Sequence, residues 1–99
     1  MPSLSEMQDQ VRRYDEKNGW SKDQASHIVL HMTEELGEIA RRILRRDGYK
    51  KEVFNSKELA EELTDILYLN LKLANSFNIE LEDEWNLMWD RYRKKTNRS

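Results

Sequence analysis

The chain has 99 residues, a net charge of −2, no cysteine, and shares of 37% apolar and 36% charged residues, with a mean hydropathy of −0.98. That length fits one small domain over residues 1–99, and the missing cysteines exclude a disulfide framework and thiolate chemistry. No run approaches the ~18 apolar residues of a membrane span, and Met1-Pro2-Ser3-Leu4-Ser5-Glu6 is no apolar signal segment, so a soluble, cytoplasmic protein is expected. The apolar share lies below the usual about 45–50% counted with glycine. Long helices with one apolar stripe suit such a chain, and so does self-association that enlarges the core.

Three glycines and a single proline at position 2 leave nothing to cut the chain into many short strands. The first helical segment begins at a capping-box pattern, Ser3-x-x-Glu6, carries Leu4, Met7, Val11 and Tyr14 at helical spacing, and stops at Asn18-Gly19. A second box, Ser21-x-x-Gln24, opens the next segment. Its stripe of Ala25, Ile28, Val29, Met32, Leu36, Ile39, Ala40 and Ile43 ends near Asp47-Gly48. The third segment runs from about Ser56 to Asn78, and its stretch from Ile66 to Ala74 is apolar on most sides, as in a central, heavily buried helix. The fourth, from about Glu82, carries Trp85, Met88, Trp89 and Tyr92 before a basic tail. Four helices, two of them long, form the expected all-α architecture.

Two acidic clusters stand out: Glu34-Glu35-Leu36-Gly37-Glu38 and Glu62-Leu63-Thr64-Asp65. Each places carboxylates at i, i+3 on one helix face. Glu62 and Asp65 have no basic neighbour at i±3 or i±4, and apolar Leu63, Ile66 and Leu67 lie among them. Like charges near a core cost free energy through repulsion and desolvation, so something outside that helix must offset them. If the two long helices pack antiparallel, as a short connection favours, Glu35, Glu38, Glu62 and Asp65 face one cleft. Four carboxylates suit Mg²⁺ or Mn²⁺, with positions left for water and phosphate oxygens. The plainer alternative is a solvated face, and for Glu38 it has substance, because Arg41 and Arg42 follow at i+3 and i+4.

The connection between these helices is basic, with Arg41, Arg42, Arg45, Arg46, Lys50, Lys51 and Lys57 against Asp47 and Glu52. Such cations can bind polyphosphate, or simply offset a helix C-terminus and solvate a loop. The C-terminal Arg91, Arg93, Lys94, Lys95 and Arg98 have no interleaved aromatics beyond Tyr92, so a solvated end and no stable nucleic-acid partner are expected. His27 and His31, at i, i+4, share a side with Glu34 and Glu38, but the Glu-x-x-His pattern of di-iron bundles is absent. Trp20 reads as a packing anchor or a base-stacking ring. Trp85, Trp89 and Tyr92 read as core or subunit interface. Asn70 and Asn75 read as satisfied amides before they read as ligands.

The run His31-Met32-Thr33-Glu34-Glu35-Leu36-Gly37-Glu38-Ile39-Ala40 resembles the EExxE helix of MazG-type, all-α nucleoside triphosphate pyrophosphohydrolases. Glu61-Glu62-Leu63-Thr64-Asp65-Ile66-Leu67-Tyr68 resembles their ExxD helix, and Gly19-Trp20, Leu73-Ala74-Asn75 and Ile79-Glu80-Leu81-Glu82 also look like that family. The resemblance covers the chain from about Met7 to Trp89. It implies a four-helix MazG-like bundle and Mg²⁺-dependent cleavage of a nucleoside triphosphate to monophosphate and pyrophosphate, with Mn²⁺ as a substitute. By motif position Glu35, Glu38, Glu62 and Asp65 would be the metal ligands, and the catalytic acids Glu34, Glu35 and Glu38 would include the one that activates water. Arg42, Arg46, Lys50 and Lys51 would hold the phosphates, with Trp20 and Asn75 as further substrate contacts. A homodimer or dimer of dimers is implied as well. Two alternatives stay open: a phosphoribosyl-ATP pyrophosphohydrolase, whose ExxD helix Asp65-Ile66-Leu67-Tyr68 also resembles, and a non-catalytic helical adaptor.

Overall fold

A computed structural model describes residues 1–48 and 53–96. They form four helices: α1 (Leu4–Lys17), α2 (Ala25–Arg46), α3 (Ser56–Ser76) and α4 (Leu81–Thr96). No strand occurs among the described residues. The all-α expectation holds, and α3 is the central element, packed on α2 on one side and on α1 on another, while α4 packs on α1.

Local chemistry sets the helix ends. At α1 the capping box forms: the Glu6 N–H donates to Ser3 Oγ (3.1 Å), and the Ser3 N–H donates to Glu6 Oε1 (3.0 Å). The helix stops where Gly19 takes a φ of +76°, a left-handed conformation that costs glycine little. The box expected at Ser21-x-x-Gln24 does not form. Gln24 is the N-cap of α2 and makes no side-chain cap bond. The reason is a preceding turn, in which the Trp20 N–H donates to the Asp15 carbonyl (2.7 Å) and the Asp23 N–H to the Trp20 carbonyl (3.2 Å). At α3, Asn55 caps the helix, its side chain accepting from the N–H groups of Lys57 and Glu58.

The buried apolar set is short: Val11, Ile28, Leu69, Leu71 and Ala74. Its partner is a buried amide, Gln8, only 2% exposed. Gln8 Nε2 donates to Asn75 Oδ1 (3.0 Å) and to the Ile79 carbonyl (2.7 Å), while its Oε1 accepts from the Leu81 N–H (2.9 Å). One side chain thus ties α1 to the end of α3 and the start of α4. Asn78, in the α3–α4 link, has φ +54°, which asparagine tolerates better than most residues.

Much apolar surface stays open. Leu30, Leu36, Leu63 and Leu67 on the long helices are exposed, as are Phe77 and Ile79. The stretch of α3 expected to be heavily buried has an open side, where Leu67 and Asn70 are exposed. On α4, Trp85, Trp89 and Tyr92 form an edge-to-face ladder, with centroids 5.9 and 5.7 Å apart, on the surface of the chain. No helix among the described residues is long and apolar enough to cross a membrane.

Candidate functional site

The acid clusters meet across the α2–α3 contact. Arg42 reaches Glu58 and Glu62, whereas Glu35, further back on α2, meets Glu62 and Asp65, further along α3. That crossing order makes the two helices antiparallel. One oxygen from each of Glu35, Glu62 and Asp65 lies within 4.8 Å of the others. Asp65 is exposed, while the Glu35 and Glu62 side chains are 17% and 15% exposed.

Electrostatics divides the pair at the centre. The Glu35 carboxyl is held above its usual range, first by its hydrogen bond with Glu62, then by burial and the charges of Glu62 and Asp65. Glu62 moves the opposite way, held low by that same bond with Glu35 and next by Arg42. Of the two, Glu62 is the one whose charged form the guanidinium favours. Glu35 Oε2 is buried and has no hydrogen-bond partner among the described residues. His31 Nε2 stands 3.4 Å from Glu35 Oε1, near enough to favour its charged form.

A buried oxygen without a donor, inside three converging carboxylates, fits a hard divalent cation, which takes oxygen ligands and keeps further positions for water. Zinc is a poorer fit, because no second nitrogen or sulfur joins the three acids among the described residues.

The structure brings together three of the four acids expected as ligands. Glu38 stands outside, its carboxylate paired with Arg41 one turn on, which is the plainer alternative weighed for it. Glu34 is exposed and also outside the group. The counter-charge missing from the helix of Glu62 comes from α2: Arg42 Nη2 donates to Glu62 Oε1 (3.0 Å), and Nη1 donates to Glu58. Arg42, expected to hold phosphate, is thereby engaged by two carboxylates. Arg46 is exposed at the end of α2, 3.1 Å from Asp47. Lys50 and Lys51 lie outside the described residues.

Asn75 is occupied inside the fold. Its Oδ1 accepts from Gln8 and from Arg12 (3.2 Å), and its Nδ2 donates to the Gln8 carbonyl (3.0 Å). The reading as a satisfied amide is the one its contacts support. Trp20 packs edge-to-face on Tyr14 at 5.7 Å and borders a cavity of about 180 Å³, shared with Arg12, Asp15, Asp23, Lys72 and Asn75.

Sequence reasoning did not single out the polar cage under this cavity. Lys72, buried in α3, donates to Asp23 (2.6 Å), lies 3.9 Å from Asp15, and faces the Trp20 and Tyr68 rings at 5.8 Å. The Tyr68 hydroxyl donates to Asp15, and burial, followed by that bond, raises its pKa. The available signal was Lys72 itself, a cation in the most apolar run of the chain.

Comparison with known proteins adds two findings. The pattern of a family described as phosphoribosyl-ATP pyrophosphohydrolase (PRA-PH) matches residues 3–91. The uncharacterized protein YpjD of Bacillus subtilis (strain 168) is 36% identical over 85 residues, covering 82% of this chain and 75% of that protein. No solved structure matches the chain.

Proposed function

The chain belongs to the phosphoribosyl-ATP pyrophosphohydrolase family, a family of hydrolases acting on acid anhydrides, and from that premise we propose a Mg²⁺-dependent nucleotide pyrophosphohydrolase of the MazG-like kind. In the proposed reaction, water and a nucleoside triphosphate give a nucleoside monophosphate and pyrophosphate. The observation that carries this reading is the group Glu35, Glu62 and Asp65, with its partnerless Glu35 oxygen. These three residues would hold the cation. A bound Mg²⁺ supplies Lewis-acid polarisation of the phosphates and lowers the pKa of a coordinated water.

The chain's own groups divide the remaining work. Glu35, whose buried oxygen has no hydrogen-bond donor and which no guanidinium holds among the described residues, is the best placed of the three acids to take a proton from water. Glu62 stays charged beside Arg42, and Asp65, exposed at the mouth, faces incoming substrate. A second substrate reading, phosphoribosyl-ATP, is favoured by the family match over residues 3–91. Both substrates present the same α–β phosphoanhydride.

The partner in this proposal is a second copy of the chain. The radius of gyration is 16.8 Å, against about 13 Å for a compact domain of this length, and the exposed leucines of α2 and α3 need cover. A dimer or dimer of dimers is expected in ultracentrifugation; a concentration-independent monomer would contradict it.

The deciding experiment is a panel of canonical and modified nucleoside triphosphates together with phosphoribosyl-ATP. Pyrophosphate and orthophosphate release are measured separately, with Mg²⁺ and with EDTA. Pyrophosphate release that EDTA abolishes is expected from at least one substrate. Orthophosphate alone, or equal turnover in EDTA, would sink the proposal.

A further inference from the structure

Building on that metal-site reading, we infer that Arg42 is the positioning residue of the centre, clamping Glu62 across the α2–α3 contact so that one carboxylate oxygen stays with Glu35 and Asp65. Arg42 follows Glu35 by two helical turns on the same face, so its side chain runs along the helix contact toward α3. Glu58 and Glu62 are one turn apart on α3. The guanidinium spans them, with Nη1 on Glu58 and Nη2 on Glu62 Oε1 at 3.0 Å.

Arg42 and Glu62 are both largely shielded, at 14% and 15% side-chain exposure. Their attraction is therefore screened less than that of a surface pair. Only Oε1 of Glu62 is engaged by Arg42, which leaves Oε2 for the cluster. Without the guanidinium, Glu62 would face Glu35 and Asp65 on one side and Glu58 one turn behind. With the cation that bonds both Glu58 and Glu62 gone, repulsion among the four carboxylates would turn Glu62 out toward solvent.

The fork is specific to arginine. A lysine ammonium is a single point charge and cannot hold both carboxylates in this planar, two-pronged arrangement. Arg42 is also poorly placed for phosphate. Both Nη groups are engaged, and Nε is buried without a hydrogen-bond partner among the described residues. A phosphate could use Arg42 only by releasing Glu62.

The test titrates Mn²⁺ into the substrate-free protein, reading free Mn²⁺ by electron paramagnetic resonance, for wild type, Arg42→Gln, Arg42→Lys and a control, Val11→Ala. Val11 lies in the α1 core, so its truncation lowers stability without touching the cluster. Arg42→Gln is expected to weaken Mn²⁺ binding about 10- to 100-fold, the usual effect of losing a partner that orients a ligand, with Arg42→Lys in between. Val11→Ala should bind as wild type does. If Arg42→Gln fails to fold, Arg42→Lys decides the matter. Wild-type affinity in the folded Arg42 variants, or a loss in Val11→Ala equal to theirs, overturns the inference. Unchanged Mn²⁺ affinity with a raised nucleotide KM would make Arg42 a phosphate ligand and overturns it too. Wild type that binds no Mn²⁺ removes the metal-site reading itself, and the role of Arg42 with it.

Discussion

On α3, Asp65 and Lys72 are seven residues apart, about 10 Å along the axis, yet their surroundings handle polar groups in opposite ways. Toward α1, Lys72 has Asp23 and Asp15, Asp15 has Tyr68, and Gln8 and Asn75 satisfy one another and the backbone of the α3–α4 link. Toward α2, three carboxylates converge, one buried oxygen lacks a donor, and a single guanidinium serves two acids. The first region meets its needs from within the chain, as stabilising polar networks do. The second holds negative charge in excess, which costs stability unless a ligand answers it. The α1 side is thus satisfied from within the chain, and the α2 side is where the proposed cation would sit.

The strongest test of that division is Lys72→Met. It leaves Asp15, 4% exposed, without its cation, and breaking a buried pair costs about 3 kcal/mol or more. A large fall in melting temperature is expected, with Mn²⁺ affinity of the folded fraction unchanged. A stable Lys72→Met that loses turnover would move Lys72 into the functional site.

Next in size is Asp65→Asn. Turnover should fall about a hundredfold or more, equal to about 2.7 kcal/mol of barrier. The apo melting temperature should stay level or rise, because a like charge leaves the cluster. Scanning calorimetry with and without Mg²⁺, beside a pyrophosphate assay, separates the two effects. An unfolded apo variant with full turnover per folded molecule would make Asp65 a structural acid.

Gln8→Ala should cost about 1–3 kcal/mol for the groups it leaves unpaired, which are the Ile79 carbonyl and the Leu81 N–H; Asn75 keeps Arg12 and the backbone carbonyl of residue 8. Thermal melts would register it as a loss of about 4–8 °C per kcal/mol. Equal stability of this variant and wild type would show that the amide network contributes little.

The smallest effect is with pH. Glu35 binds its proton more tightly in the folded chain, chiefly through the bond with Glu62. Its contribution to stability is thus lost as pH rises from the ordinary glutamate range through the raised value. Glu62, whose pKa is lowered, contributes stability above its unfolded value and loses it as pH falls through the folded one. Glu35→Gln keeps a donor toward Glu62 at every pH. The apo melting temperature of wild type should therefore drop below that of Glu35→Gln as pH rises through this window, and coincide with it on the acid side. Parallel melting curves across the window would contradict the raised Glu35 pKa.

The order of residues was enough to lay out the four helices, because apolar spacing, the Ser3 cap and the Asn18-Gly19 stop act within a few residues of one another. It also determined that Glu62 and Asp65 form a like-charged pair with no cation on their own helix, since i±3 and i±4 neighbours can be read directly. Which acids meet was settled by how the helices pack. Glu38 has the same residue type and a similar wheel position as Glu35, yet Arg41 takes it, while Glu35 is turned into the α2–α3 contact. Arg42 as the partner of Glu62, and Asp15 and Asp23 as the partners of Lys72, depend on which helix faces pack. The Ser21 box failed for a like reason: the turn before α2 is held to the Asp15 carbonyl at the end of α1 and, through Asp23, to Lys72 on α3. Charge is written residue by residue, but the distances that set its energy arise only when the helices come together.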